Sequence, residues 1–276
     1  MLEENEGRLR FLRRSADPRQ NKLRRGVYLL PSLLTMGNMF CGYACVVYAM
    51  RGEYETAAPF IGFAFIVDGL DGRIARLTNT TSEFGVEFDS LADIISFGIA
   101  PAILSFAWGL QSLGRLGWAA GFMFVAAAAM RLARFNLQSS SGGDKRYFVG
   151  MPSPAAAGVV AATVFAFPSG LNDYRAALPA LAMVLVPAAL MVTTIRFRSF
   201  KTFDSKGRRP YTVLIFLAAG IVAIATHPQW TLMVVAYTYL ASGFIGMAIT
   251  RYKRRGGTPA PDVSQPTADR RDSAAR

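Results

Sequence analysis

Long apolar stretches separated by short polar or basic segments run along most of the chain, from about residue 28 to residue 250. Stretches near 28–50, 54–77, 84–108, 115–136, 153–171, 176–195, 210–226 and 229–250 are each long enough, or nearly so, to cross the hydrocarbon layer of a bilayer as a helix. The pattern predicts an all-α fold: a polytopic integral membrane helical bundle of about eight transmembrane helices. Eight crossings return the C-terminus to the side on which the chain starts. The first stretch follows a basic tail, as a signal peptide does, but it is too long and has no convincing small-residue cleavage site.

The apolar pattern is broken where breaking it costs most. Between Asp68 and Asp93 the sequence DGLDGRIARLTNTTSEFGVEFDSLAD places four carboxylates inside two otherwise apolar segments. Each Asp at a bilayer centre costs about 3 kcal/mol on insertion scales, so four of them require a shared compensation. Asp68 and Asp71 are three residues apart, and Asp89 and Asp93 four apart, so each pair lies on one face of its helix. The polar run Thr78 to Glu83 reads as a turn. In an antiparallel hairpin folded there, Asp68 is level with Asp93 and Asp71 with Asp89, because both pairs are centred near residue 80. The four then converge on one cluster, roughly 13–19 Å along the helices from the turn.

Four carboxylates at close quarters do not all stay charged unaided, and hard divalent cations bound through oxygen reverse that logic. Two such ions suit a substrate carrying a diphosphate, where metal can hold attacking and leaving oxygens. Gly72 and Gly85 flank the carboxylates and let a bulky ligand approach the backbone. Arg76, one turn nearer the membrane surface, is placed to hold a phosphate oxygen.

Composition supports the membrane reading. The chain is 52% hydrophobic over 276 residues, with a mean hydropathy of +0.29, which excludes a soluble domain. The net charge of +12 would suit a nucleic-acid partner, but its distribution does not. All thirty Lys and Arg except Arg51, Arg115 and Arg175 fall in the tails, at the turn side of the hairpin, or in the segments around 131–146 and 196–209. In an eight-span topology these are the cytoplasmic side. The reading is three-part: a basic cytoplasmic or interfacial segment over 1–26, a membrane domain over 27–250, and a disordered cytoplasmic tail over 251–276.

The spacing Asp68-x2-Asp71-Gly72-x2-Ala75-Arg76-x8-Gly85-x3-Asp89-x3-Asp93 resembles the complete signature of the CDP-alcohol phosphatidyltransferases, with no position departing from it. The resemblance implies that Asp68, Asp71 and Asp89 bind two divalent ions, Mg2+ or Mn2+. It implies that Asp93 contributes to the metal site and is the general base, and that Gly72, Ala75, Arg76 and Gly85 line the site for CDP-diacylglycerol. In that family the first span approaches the nucleotide, so Asn38 is a possible contact; bonding to a neighbouring helix explains it equally well.

Softer strings, PSLLTMGN, FDSLADIISFGIAPA, RLARFN, FVGMPSPAAA and RFRSFK, resemble the branch of the family whose acceptor is L-serine. The implied reaction is transfer of a phosphatidyl group to the serine hydroxyl with release of CMP, by a homodimer. The compact chain fits a bacterial inner membrane, and the distribution of basic residues puts the site on its cytoplasmic side. Serine also carries a carboxylate, so its pocket should hold a cation, and Arg131, Arg134, Lys145 and Lys201 are the candidates. Snorkelling to lipid headgroups accounts equally for Arg131 or Arg134 taken singly.

Two other readings stand beside this one. A sibling transferase acting on glycerol 3-phosphate, inositol phosphate or another alcohol shares the Asp motif. A cation transporter also uses intramembrane carboxylates, but has no need of the Gly-x2-Ala-Arg spacing. Cys41 and Cys45, four apart with no histidine near, read as buried thiols. His227, the sole histidine, falls in a predicted outer loop, which argues against histidine-based covalent catalysis.

Overall fold

A computed structural model describes residues 18–78, 82–140, 148–171, 173–193, 196–197 and 210–255. Within them the regular structure is helical apart from one short antiparallel pairing, Phe148–Val149 with Arg196–Phe197. The helices are α1 (Pro18–Met50), α2 (Tyr54–Leu77), α3 (Glu83–Ile94), α4 (Ala100–Trp108), α5 (Arg115–Ser140), α6 (Ser153–Ala166), α7 (Tyr174–Val192), α8 (Pro210–Thr226) and α9 (Pro228–Arg255). A π turn, Ile95–Ile99, joins α3 to α4, and a 3₁₀ turn, Leu110–Leu113, leads towards α5.

Every predicted apolar stretch contains a helix, and the boundaries differ for physical reasons. The first helix starts at Pro18 rather than near residue 28, since a proline is tolerated at a helix start and the residues RQNKLRR that follow favour helix. The stretch predicted over 153–171 is helical only to Ala166. Pro168 disfavours helical backbone at the residue before it, and Phe167 is correspondingly non-helical at φ −129°, ψ 68°. Gly170 then turns the chain with φ +71°, a conformation open to glycine. By length and apolarity, four helical runs among the described residues can cross a membrane: Pro31–Met50, Glu83–Trp108, Arg115–Gln138 and Tyr174–Val192.

The core lies around α4 and α6. Phe97, Leu104, Leu110, Phe124, Val159, Val160, Val164 and Met191 are all fully buried there. Against it packs α2 through a face of small and branched residues, Ala57, Ala58, Ile61 and Ala64, which let helix backbones come close. The end remote from the turn is tied by polar groups. The Tyr54 hydroxyl donates to the Ala107 carbonyl at 2.6 Å, and the Trp108 indole N–H to the Phe167 carbonyl at 2.7 Å.

Helix α1 packs most extensively on α2 and also lies against α3 and the π turn. Gly42 makes this possible. A Cβ at that position would sit 2.8 Å from the Ser96 Cα, so only glycine lets the α1 backbone meet the π turn. Ser96 completes the contact by donating from its hydroxyl to the Asn38 carbonyl at 2.8 Å.

Candidate active site

The site is built at the turn end of the α2–α3 hairpin. Helix α2 ends at Leu77 with Thr78 as its C-cap, and α3 opens at Ser82, whose hydroxyl accepts the Gly85 N–H at 3.0 Å. The turn therefore falls where the polar run predicts it. With both helices returning from it, one carboxylate oxygen from each of Asp68, Asp71 and Asp89 comes within 4.8 Å of the other two. Asp71 is buried, at 4% exposure, and Asp68 and Asp89 are half-buried.

Pairing across the hairpin follows depth. Asp68 is placed next to Asp93, and Asp71 next to Asp89. Asp93 adjoins the three clustered carboxylates through Asp68. The donor set suits a hard cation: it consists of carboxylate oxygens, and Asp89 Oδ1 is buried with no hydrogen-bond partner. A hard cation held by Asp68, Asp71 and Asp89 would offset the clustered charge.

The remaining predicted residues divide. A Cβ built at Gly72 meets nothing within 4 Å, so the backbone there is open to a ligand. Gly85 has a structural task, since a Cβ would come 3.1 Å from the Ser82 hydroxyl that caps α3. Ala75 is half-buried and Arg76 exposed in the last turn of α2. Asn38 is fully buried, and its amide donates to Asp93 Oδ1 at 3.4 Å, a long bond. The Asn38 Oδ1 has no partner.

The cations predicted for the acceptor separate more sharply. Arg131 is close enough for its charge to act on Asp93. It donates to the Ser153 hydroxyl at 2.9 Å, while its buried Nε has no partner. Arg134, one turn on, donates to the Val192 carbonyl at 3.2 Å and so caps the C-terminus of α7. Lys145 and Lys201 lie outside the described residues.

Sequence reasoning missed four polar partners. Thr35 is buried and donates to Asp71 Oδ2 at 3.0 Å, and Ser153 anchors Arg131 from the first residue of α6. Ser90 accepts from the Asn136 amide at 2.9 Å, joining α3 to α5. Tyr239, on α9, lies near Arg131. Thr35 carried a signal: it sits three residues before Asn38 in an otherwise apolar span, so the two share a helix face.

Membrane-length helices around a cluster of oxygen donors define a class, the helical membrane proteins with an acidic metal centre. Comparison with known proteins narrows it. Residues 28–195 match the family model described as CDP-alcohol phosphatidyltransferase. The CDP-diacylglycerol–serine O-phosphatidyltransferase of Helicobacter pylori is 38% identical over 224 residues, which cover 79% of this chain and 91% of that protein. The enzyme of the same name from Mycobacterium leprae is 32% identical over 217 residues, covering 77% and 72%. That of Bacillus subtilis is 30% identical over 172 residues, covering 62% and 91%. The chain belongs to the CDP-alcohol phosphatidyltransferase family.

Proposed function

We propose that the protein transfers the phosphatidyl group of CDP-diacylglycerol to the hydroxyl of L-serine, giving phosphatidylserine and CMP. The observation that carries the reading is the convergence of Asp68, Asp71 and Asp89, with Asp93 and Arg131 adjoining. The names of the relatives supply the choice of serine.

Asp68, Asp71 and Asp89 hold the metal, and Asp93 contributes to the same site. When bound, two divalent ions, Mg2+ or Mn2+, neutralise the diphosphate and stabilise the charge that builds on the leaving phosphate. The open backbone at Gly72 and the neighbouring Ala75 admit the nucleotide, with Gly85 at its margin and Arg76 at the exposed rim meeting a phosphate oxygen. The acyl chains of the donor stay in the bilayer. Asp93 takes the proton of the serine hydroxyl. The serine oxygen then bonds to the lipid-linked phosphorus, the bond from that phosphorus to the bridging oxygen breaks, and CMP leaves with that oxygen. Arg131 receives the serine carboxylate, for which its unpartnered Nε and its position beside Asp93 qualify it. Arg134, engaged at the end of α7, positions the same wall of the pocket.

In this reading helices α1 to α9 make eight crossings, α3 and α4 together forming one, with both termini cytoplasmic. The site then opens to the cytoplasmic face of a bacterial inner membrane, where water-soluble serine is available. Two copies form a homodimer.

The test is CMP release by purified protein given CDP-diacylglycerol and Mn2+ or Mg2+, with serine, glycerol 3-phosphate or inositol phosphate in separate reactions. Release that depends on serine and on metal is expected. Release with another alcohol in place of serine keeps the Asp roles and discards the acceptor. No release with any of the three, together with cation flux in vesicles, discards the transferase.

A further inference from the structure

One face of α1 reaches the acidic cluster twice. The Thr35 hydroxyl lies 3.0 Å from Asp71 Oδ2 and 3.1 Å from the Pro31 carbonyl of its own helix. Three residues on, the Asn38 amide points at Asp93 Oδ1 at 3.4 Å. The two acceptors differ in place: Asp71 is one of the three mutually close carboxylates, and Asp93 adjoins them. Both α1 side chains are buried, at 5% and 0% exposure, so water does not compete for their hydrogen bonds. The register of α1 is held independently, by the glycine contact at Gly42 and by the Ser96 hydroxyl on the Asn38 carbonyl.

We infer that Thr35 and Asn38 are positioning residues with separate duties, Thr35 orienting Asp71 for metal binding and Asn38 orienting Asp93 for the proton transfer. The inference rests on the transferase reading for Asn38 and only on the acidic cluster for Thr35. A carboxylate whose second oxygen already accepts a hydrogen bond is restricted to presenting the first, which is how outer partners of metal ligands raise affinity. At Asp93 the amide fixes one oxygen and leaves the other to meet the acceptor's proton. This assigns Asn38 to the general base and away from the nucleotide.

Two readouts separate the duties in the full-length protein in detergent: Mn2+ binding followed by electron paramagnetic resonance of the free ion, and kcat with KM for serine from CMP release. Thr35→Val should weaken Mn2+ binding roughly tenfold at unchanged KM for serine, and Thr35→Ser, which keeps the hydroxyl, should restore it. Asn38→Ala and Asn38→Leu should lower kcat roughly tenfold or more, with Mn2+ binding and both KM values within about twofold. The two substitutions at position 38 leave different volumes, so a shared kinetic defect reports the lost amide rather than packing. Mn2+ binding by Thr35→Val equal to that of the unaltered protein overturns the first duty, as does loss of its fold in the absence of metal. A raised KM for CDP-diacylglycerol with unchanged kcat in the Asn38 variants overturns the second. Failure of the transferase reading shows as no CMP release from the unaltered protein, while the Mn2+ measurement still decides Thr35.

Discussion

Helices α3 and α6 are of similar length, 12 and 14 residues, and are held in opposite ways. In α6 nine residues are buried, from Ser153 to Ala166, and in α3 only Ala92 is. Helix α6 is fastened by packing among Ala156, Val159, Val160 and Val164. Helix α3 carries Asp89 and Asp93 and is fastened by polar handles, Ser90 to Asn136 on α5 and Asp93 to Asn38 on α1. A helix with few buried apolar contacts has a low local opening free energy. The half that carries the acidic cluster is therefore tied mainly by polar groups, and the core half by close packing.

The largest way to break this contrast is to remove metal. Chelation should abolish CMP release, and added Mn2+ or Mg2+ should restore it. Hydrogen exchange should meanwhile quicken over Glu83–Ile94 and stay slow over Ser153–Ala166; equal loosening of both would show that the two halves are not held differently.

Next in size is Asp93→Asn. Loss of a general base lowers turnover by about 10²- to 10⁴-fold, while thermal stability stays close to that of the unaltered protein. Near-normal turnover in a folded preparation removes Asp93 from that role. In the core half the expectation inverts: Leu104→Ala should cost about 3 kcal/mol of stability through the cavity it leaves, with KM for serine unchanged. Denaturant titration alongside CMP release checks both.

The smallest effects separate two neighbours. Arg131→Lys loses the planar fork and should raise KM for serine roughly tenfold. Arg134→Lys should leave KM within twofold and cost about 1 kcal/mol of stability, as expected for one hydrogen bond at the end of α7. If both raise KM alike, the division of the pair between acceptor and cap is wrong.

These two arginines show where legibility in the sequence stops. Arg131 and Arg134 share a helix face, so spacing alone offers both to the acceptor. Only the packing of α7 against α5, which brings the Val192 carbonyl to Arg134, tells them apart. Gly72 and Gly85 are likewise equal within the motif. The structure finds open space at the first and a helix cap at the second.

What the sequence determined by itself is local in origin. The apolar pattern located the helices, and the symmetric spacing of four Asp about a polar turn set Asp68 against Asp93 and Asp71 against Asp89, because rise per residue is constant along a helix. The same spacing is the family's signature. Tertiary structure decided the rest: the π turn after Asp93, the early end of α6, and the hydrogen bonds from Thr35 and Asn38, which join residues 36 and 55 positions apart. Those bonds depend on how closely α1 approaches the hairpin. That approach is set by one glycine meeting a turn 54 residues away, from Gly42 to Ser96, and no periodicity along the chain encodes such a meeting.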